Sequence, residues 1–265
     1  MKEYTVKVLV ATHKKYQMPD DEMYLPLHVG AEGKTDDSGK ELDFGYVKDN
    51  TGDNISYLNP FFCELTGLYW AWKNLDSDYI GLVHYRRYFT MKRKILEKNH
   101  LVPYLGKAKI FVPKKRWYVI ETLKSHYEHT HCSEHIDITR AIVLEKYPDY
   151  ENVFDRALDR RWGYMFNMMI AQKDLIDDYC DWLFDVLFEV FKKIDRKNYS
   201  TFESRYIGRI SELLFNVWLE KAIENKKIKK SEIMELNLDV DENLFLKIPA
   251  FLKAKFFGKK YTGSF

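Results

Sequence analysis

Residues 84–87, His-Tyr-Arg-Arg, combine an imidazole, a phenol and two guanidinium groups directly after an apolar run. Residues 80–83 have the continuous apolar character of a strand buried on both faces, which is typical of parallel sheets in α/β proteins. Ligands bind beyond the carboxyl ends of such strands, and guanidinium groups match phosphate oxygens in geometry and charge. The pattern therefore predicts an anion site for a phosphorylated or nucleotide-activated substrate. The alternative is a solvated surface cluster paired with nearby carboxylates.

The composition is that of a globular protein and argues against one class of function. With 265 residues the chain is long enough for one large α/β domain, or for a core domain with a smaller helical addition. Its 42 basic and 40 acidic residues leave a net charge of +2, which argues against a dedicated nucleic-acid binder with a large basic surface. The aromatic content of 16% suits contacts with sugars, bases or a membrane interface as well as core packing.

Cysteine usage and hydropathy predict the compartment. Cys63, Cys132 and Cys180 are widely spaced and odd in number, so we expect no disulfide framework and a reducing environment. The amino-terminal apolar run is too short for a secretory signal, and no stretch approaches the roughly 20 apolar residues of a membrane span. We therefore expect a cytoplasmic protein that meets a membrane, if at all, from the side.

A coarse secondary-structure prediction places polar residues at the ends of elements. Residues 6–11 form a valine-rich run followed by Thr12 and His13, which predicts a first parallel strand that ends in a ligand-facing loop. No glycine-rich dinucleotide or phosphate-loop motif follows it. Residues 30–54, rich in Gly, Asp, Asn and Ser, predict a long excursion or mobile lid. Further strands are expected at 107–113 and 164–171, and helices at 60–74, within 119–147, at 174–193 and at 207–222.

Four of the eight histidines, His126, His129, His131 and His135, lie within ten residues beside Cys132. Imidazole and thiolate ligate zinc, but the spacing matches neither C-x-x-C nor H-E-x-x-H. On a helix, His131 and His135 share one face and His126 and His129 share another, so that pairs alone converge. We therefore prefer histidines of a surface or acceptor loop, with metal binding as the alternative.

Residues 243–265 contain five lysines, six aromatic residues and no acidic residue. Such a segment suits anchoring at an anionic bilayer surface, where each cation adds about 1 kcal/mol. The alternative, equally weighted, is a C-terminal segment packed back on the domain.

Three stretches together carry a family resemblance. They are NISYLNPFFCELTGLYWAWKN at residues 54–74, YIGLVHYRRYF at 79–89 and YMFNMMIAQKDLIDDYCDWLFDVLFEV at 164–190. The chain resembles, over residues 8–219, a family of bacterial capsular polysaccharide and exopolysaccharide synthesis proteins. That family long carried a domain-of-unknown-function label and is regarded as glycosyltransferase-like, and the H-Y-R-R-Y-F block is specific to it. Some relatives are associated with the transfer of galactofuranose from a uridine-diphosphate donor.

The resemblance implies an α/β fold of the glycosyltransferase-A type, with a mostly parallel sheet flanked by helices and a helical C-terminal part. We expect one catalytic domain at residues 1–242, with a nucleotide-binding part in 1–115 and an acceptor part in 116–242, followed by the tail at 243–265. The implied activity is that of a hexosyltransferase. It moves a sugar, with galactofuranose as the leading guess, from a UDP-sugar to a growing capsular, exopolysaccharide or O-antigen glycan on a lipid-linked acceptor. The alternatives are a sugar-nucleotide hydrolase and a catalytically silent carbohydrate- or membrane-binding partner.

Many such enzymes hold a divalent metal through an Asp-x-Asp pair at a strand end. Here Asp76-Ser77-Asp78 precedes the strand that begins at residue 79, at the end opposite the ligand-facing one, so we expect these aspartates to cap or terminate the preceding helix. Asp239-x-Asp241 has no predicted strand before it. We therefore predict no required cofactor, with manganese or magnesium dependence as the alternative.

The site residues are assigned by position. Arg86, Arg87 and His84 are expected to neutralise charge on the leaving diphosphate. Glu212 is expected to take the acceptor proton, although an ion pair with Arg209 is as good an explanation of it. The other candidates for this base are Glu64, Asp174, Asp177 and His84. The predicted donor-binding residues are Thr12, His13, Asn54, Ser56, Asn59, Glu64 and Tyr85, and the predicted acceptor-binding residues are Phe166, Asn167 and Met168.

Overall fold

The computed structural model describes residues 2–240. Its strands are β1 (Val6–Thr12), β2 (Tyr24–His28), β3 (Val47–Lys48), β4 (Tyr79–His84), β5 (Arg87–Met91), β6 (Lys94–Ile95), β7 (Ile110–Pro113), β8 (Arg116–Trp117), β9 (Trp162–Gly163), β10 (Met169–Gln172) and β11 (Ile233–Val240). Its α-helices are α1 (Asn59–Phe62), α2 (Leu65–Asn74), α3 (Lys98–Leu101), α4 (Leu123–Thr130), α5 (Glu134–Lys146), α6 (Glu151–Leu158), α7 (Lys173–Lys193) and α8 (Tyr206–Glu224).

The described residues form two compact units. The first unit comprises residues 2–114, 166–181 and 228–240, and the second comprises residues 115–165 and 182–227. Because the chain returns to the first unit twice, the units are not successive stretches of sequence. The assignment of a nucleotide-binding part and an acceptor part stays a prediction.

The first unit is built on one mixed sheet. β3, β2, β1 and β4 run parallel in that order, whereas β10 runs antiparallel to both β4 and β7. β11 runs parallel to β7 and antiparallel to β5. A pairing of His84 with Arg87 joins β5 back to β4, which closes β4, β10, β7, β11 and β5 into a small barrel. The predicted α/β class and the helical part late in the chain are confirmed. The prediction of a mostly parallel sheet is wrong, because β10 and β5 run antiparallel to their neighbours.

β1 and β4 lie side by side in the parallel part of the sheet. Residues 80–83 are buried on both faces, as their apolar character predicts. A Cβ atom at Gly81 would lie 2.7 Å from Ile170 Cγ1 and 2.9 Å from the Met169 carbonyl oxygen. Gly81 therefore permits the close approach of β10, and the apolar run before His84 is a packed support.

The helix predicted over residues 60–74 is divided into α1 and α2. Cys63 adopts a φ of 53°, a left-handed conformation that a helix interior excludes. Glu64 follows directly and its side chain makes no capping hydrogen bond to α2. The break therefore leaves the Glu64 carboxylate to bind another part of the fold.

Two strand predictions need correction. The strand predicted at 164–171 is shorter in the first unit, where it is β10. Phe166 and Asn167 adopt φ values of 77° and 52°, which a strand excludes, so β10 begins after them. The stretch before Asp239, predicted to contain no strand, forms β11 between β7 and β5. Asp241 and the tail at 243–265 lie outside the described residues.

The second unit is mostly helical, with a two-stranded ribbon of β8 and β9. The helical segments predicted within 119–147 and at 207–222 are confirmed as α4, α5 and α8. The apolar side chains that these helices and α6 bury include Ile136, Val143, Phe154, Leu214 and Trp218. Across the described part of the chain, no helix combines the length and the apolar character needed to cross a membrane.

Candidate active site

Four strands of the first unit end at one edge of the sheet. Because β3, β2, β1 and β4 are parallel, their carboxyl ends meet there, which is where α/β proteins bind ligands. In the register, Thr12 lies opposite His28 and Ala11 lies opposite His84. We call these strand ends, with Thr12, His28 and His84, the strand edge. Thr12 and His84 were predicted for it, whereas His28 was not.

Tyr85 links the turn after β4 to the loop after β1. The rings of His13 and Tyr16 meet its ring edge-on, with centroids 5.4 and 5.2 Å away. Lys14 Nζ and the Arg86 guanidinium lie 5.3 and 5.1 Å from the ring centre. The predicted residues His13, Tyr85 and Arg86 are therefore brought together, and the structure adds Lys14 and Tyr16. Cations grouped in this way concentrate positive potential at the strand edge.

A strained turn at Phe166 and Asn167 holds His84 and Arg87. Consecutive left-handed residues other than glycine cost about 1–3 kcal/mol each and are typical of functional sites. This turn presents the Phe166 carbonyl oxygen to His84 Nε2 at 2.8 Å and the Phe166 ring to the Arg87 guanidinium at 4.7 Å. Because Nε2 donates to a carbonyl, the neutral imidazole carries its lone pair on Nδ1. Nδ1 has no hydrogen bond to another atom of residues 2–240, so it is placed to accept one from a ligand.

The same turn also orients Glu64. The Asn167 side-chain amide donates to Glu64 Oε1 at 2.7 Å, and Asn167 is 4% exposed. A hydrogen bond to a carboxylate is stronger than one between neutral groups. The contact joins the helix break at Cys63 to the turn at Phe166, so two left-handed segments fix one carboxylate.

Asp49, which the sequence analysis did not single out, is fully buried just after β3. Its carboxylate accepts hydrogen bonds from the N–H groups of Gly30 and Ala31 at 2.8 and 3.1 Å. It also accepts from Ser56 Oγ at 2.5 Å and Thr66 Oγ1 at 2.6 Å. Four donors offset the cost of burying the carboxylate. The end of the predicted lid is therefore an integral part of the fold beside the strand edge.

His28 is a second site residue that sequence reasoning missed. It is 2% exposed at the end of β2, with the Phe44 ring 4.6 Å from its own. Burial lowers the pKa of His28, so the ring is neutral at pH 7. Its Nδ1 atom is buried without a hydrogen-bond partner in the described part of the chain, which is unusual for a polar atom.

Several predicted donor residues bind other parts of the protein. Asn54 Oδ1 accepts from the Ser56 N–H at 3.1 Å, and Asn59 Nδ2 donates to the Cys63 carbonyl oxygen at 2.8 Å. The predicted acceptor residue Met168 is 2% exposed. These side chains thus form hydrogen bonds or packing contacts within the first unit. Their contacts with a substrate stay predictions.

Glu212 lies on α8 in the second unit and is half-buried. Its carbonyl oxygen accepts a hydrogen bond from Asn216 Nδ2, which also donates to the Tyr164 carbonyl oxygen. Among the other candidates for the base, Asp177 is paired with Lys173 at 2.5 Å. The assignment of Glu212 as the base stays a prediction.

The clustered histidines of the second unit bind protein atoms. His126 Nδ1 and His129 Nδ1 lie 3.1 and 2.5 Å from the two carboxylate oxygens of Glu121, which is 3% exposed. These two histidines share a face, as the helical spacing predicts. Burial lowers the pKa of His126 to about 4, so its neutral ring donates to Glu121.

His135 is held from both sides in the same unit. It is 2% exposed, and its Nδ1 and Nε2 atoms each lie 2.8 Å from a hydroxyl, those of Tyr127 and Tyr199 respectively. Within residues 2–240, no group of three or more His, Cys, Asp or Glu side chains is arranged to hold a metal ion. The histidine cluster therefore has a structural explanation in hydrogen bonds.

Asp78 lies at the amino-terminal end of β4, opposite the strand edge. Its carboxylate accepts from Lys2 Nζ at 2.9 Å and from the N–H and hydroxyl of Thr5 at 2.8 and 3.0 Å. Hydrogen bonds from Lys2 and then Thr5 lower the pKa of Asp78 to about 2. Asp78 thus connects β4 to the start of β1, so the helix cap expected from the sequence is wrong.

Comparison with known proteins matches most of the chain, across both units. Residues 7–225 match the family described as a domain of unknown function, DUF4422. The chain belongs to this family. Its structure is similar to the apo structure of WbbM, a bifunctional glycosyltransferase, with a TM-score of 0.79 and 30% sequence identity. The match covers 90% of this DUF4422 chain and 46% of the WbbM chain, so this chain spans less than half of that protein. A search of curated proteins finds no match.

Proposed function

We propose that the protein is a glycosyltransferase. The proposal is carried by the likeness to a bifunctional glycosyltransferase over 90% of this chain at 30% identity. The donor in this proposal is a UDP-hexose, first of all UDP-galactofuranose. The acceptor is a growing capsular, exopolysaccharide or O-antigen glycan, carried on a lipid. The assignment to the glycosyltransferase-A type is part of this proposal.

The positive potential of the strand edge supports an anionic donor. Arg86 and Arg87 lie in and beside the turn after β4, each against an aromatic ring that limits its positions. Cations fixed before the reaction stabilise developing charge without reorganising. In the proposal they stabilise the leaving diphosphate with His84, while Thr12 and His13 contact the nucleotide.

Direct displacement at a sugar carbon needs a group that takes the proton of the acceptor hydroxyl. Glu212 is the proposed base, and Phe166, Asn167 and Met168 line the proposed acceptor site. Glu64 is the competing carboxylate because Asn167 already orients it. Glu212→Gln should abolish transfer and Glu64→Gln should reduce it. The reverse ranking would assign the base to Glu64.

The proposed reaction needs no metal, because the arginines take over the charge neutralisation that a divalent cation provides in other phosphate chemistry. Transfer should therefore survive complete chelation with EDTA. Restoration of a chelated, inactive protein by manganese or magnesium would overturn this part of the proposal.

The function is tested with a panel of sugar nucleotides, by measuring the released nucleoside diphosphate with and without a lipid-linked acceptor. Release that depends on the acceptor, with formation of a longer glycan, is the expected result. Release at the same rate without acceptor would identify a sugar-nucleotide hydrolase. Binding of sugar without turnover of any donor would identify a catalytically silent partner.

A further inference from the structure

The second unit exposes a compact group of large apolar side chains. Trp117, Val119 and Ile120 are 66%, 79% and 51% exposed, and they lie within four consecutive residues. Most soluble proteins expose such side chains singly, whereas a contiguous patch marks an interaction site. We call Trp117, Val119 and Ile120 the apolar tip.

A backbone turn keeps the side chains of Val119 and Ile120 exposed. The Glu121 N–H donates to the Tyr118 carbonyl oxygen at 3.0 Å, which closes a turn with Val119 and Ile120 at its centre. Turn centres normally carry Gly, Pro, Asn, Asp or Ser, and β-branched apolar residues are unfavourable there. The Tyr118 N–H also donates to the Arg161 carbonyl oxygen at 2.7 Å. The apolar tip is therefore held outwards by an anchored turn.

Basic and aromatic residues surround the tip. Trp117 pairs with Trp162 across the ribbon of β8 and β9, with ring centroids 6.4 Å apart. Lys115 Nζ and the Arg160 guanidinium lie 4.6 and 4.8 Å from the Trp162 ring centre. The two segments at 115–121 and 159–162 carry four basic residues, Lys115, Arg116, Arg160 and Arg161, against two acidic residues, Asp159 and the buried Glu121. Arg160 is also paired with Glu220 at 2.6 Å, so the net positive charge of the surface is small.

This combination matches one kind of partner. Tryptophan, exposed aliphatic side chains and flanking Lys or Arg are the residues that bind at the interface of an anionic bilayer. A glycan site would need carboxylate or amide groups beside the aromatic ring rather than exposed valine and isoleucine. We propose that the apolar tip and its four basic neighbours form a docking surface for anionic lipid membranes. This surface is separate in sequence from the basic tail at 243–265 and does not depend on the proposed enzymatic function.

The test is flotation of the full chain with vesicles of phosphatidylcholine alone or mixed with phosphatidylglycerol. The wild type should float with the anionic vesicles, and 0.5 M salt should weaken binding because the attraction is electrostatic. Trp117→Ser combined with Ile120→Ser should reduce the bound fraction about tenfold, because two exposed side chains would no longer enter the lipid interface.

The matched control is Tyr57→Ser combined with Val102→Ser. It removes an aromatic side chain of 66% exposure and an aliphatic one of 54% exposure, both from the first unit. The control should bind vesicles as the wild type does. All variants keep residues 243–265, so a difference between them comes from the substituted side chains. Equal binding of both double variants, or equal binding to neutral and anionic vesicles, would overturn the proposal. So would a variant that floats normally but loses affinity for a soluble acceptor glycan.

Discussion

His84, at the strand edge of the first unit, and His135, in the second unit, differ in how their ring nitrogens are used. Both nitrogens of His135 meet tyrosine hydroxyls, whereas His84 is held at Nε2 by the Phe166 carbonyl oxygen. The sequence draws attention to the region around His135 because four histidines lie there. Of these two residues, His84 is the one whose second ring nitrogen can bind a ligand, although fewer histidines lie around it in the sequence. Hydrogen-bond partners, rather than the density of a residue type, separate a chemical role from a structural one.

The largest expected effect tests the strand edge. Arg86→Ala should lower the rate of transfer about 100- to 1,000-fold, the usual cost of removing one group that stabilises transition-state charge. The measurement is kcat/KM with a saturating acceptor. Arg93→Ala is the matched control, because Arg93 is an exposed arginine in the next turn of the same sheet, between β5 and β6. Unchanged turnover of the Arg86 variant would remove the diphosphate site from the turn after β4.

The second prediction is that replacing His135 mainly lowers stability, whereas replacing His84 mainly lowers transfer. His135→Phe should lower the free energy of unfolding by about 2 kcal/mol, because the buried Tyr127 hydroxyl loses its partner. His84→Phe should lower the free energy of unfolding less, because the half-buried Phe166 carbonyl oxygen can bind water in place of His84 Nε2, and it should lower transfer strongly. Urea denaturation and turnover per folded molecule separate the two outcomes. A stable but inactive His135 variant would contradict the comparison.

A third prediction concerns the strained turn. Asn167→Ala should lower both the stability, by about 2 kcal/mol, and the turnover, about tenfold, because the bond to Glu64 is lost while the left-handed strain remains. Asn167→Gly relieves that strain, so it should recover stability but not turnover. Recovery of both by glycine would show that the amide has no part in positioning Glu64.

The smallest effect is expected at Asp78, at the opposite end of β4 from His84. Its folded-state pKa lies at about 2, below the usual value near 4, so its stabilising contribution is complete above pH 4 and is lost as the pH falls towards 2. Asp78→Asn should therefore be less stable than the wild type at pH 7, with a difference that shrinks between pH 4 and pH 2. Thermal unfolding over this range measures it. Transfer at pH 7 should not change, whereas loss of activity would link Asp78 to the chemistry.

The strands and helices that could be predicted from the sequence are those with a clear pattern within one continuous segment. β1 and β4 are continuous apolar runs, and α8 has a long helical pattern, so each was predicted within two residues of its bounds. β2 was missed because Pro26 interrupts its apolar character, and β3 was missed because it has two residues. Closure of the barrel was not predictable, because the antiparallel entry of β10 depends on pairing between distant segments.

Some residues of the candidate site could likewise be predicted from the sequence, whereas others could not. His84, Arg86 and Arg87 come at the end of an obvious strand, so their position made them candidates. Asp49 lies in a stretch rich in Gly, Asp and Asn, where one buried carboxylate looks like its solvated neighbours. The four hydrogen bonds that distinguish it come from segments up to 19 residues away, and sequence carries no sign of them.

The pairing of His84 with Arg87 leaves Tyr85 and Arg86 as a two-residue connection that also closes the barrel. A strand shifted by one position turns all its side chains to the opposite face, so an added or deleted residue here would misalign β5 against β11 as well as move Arg87. The length of this block is thus fixed by closure of the barrel, independently of the chemistry of its side chains. In an alignment of relatives, gaps should be absent between residues 84 and 87 even where the amino acids differ.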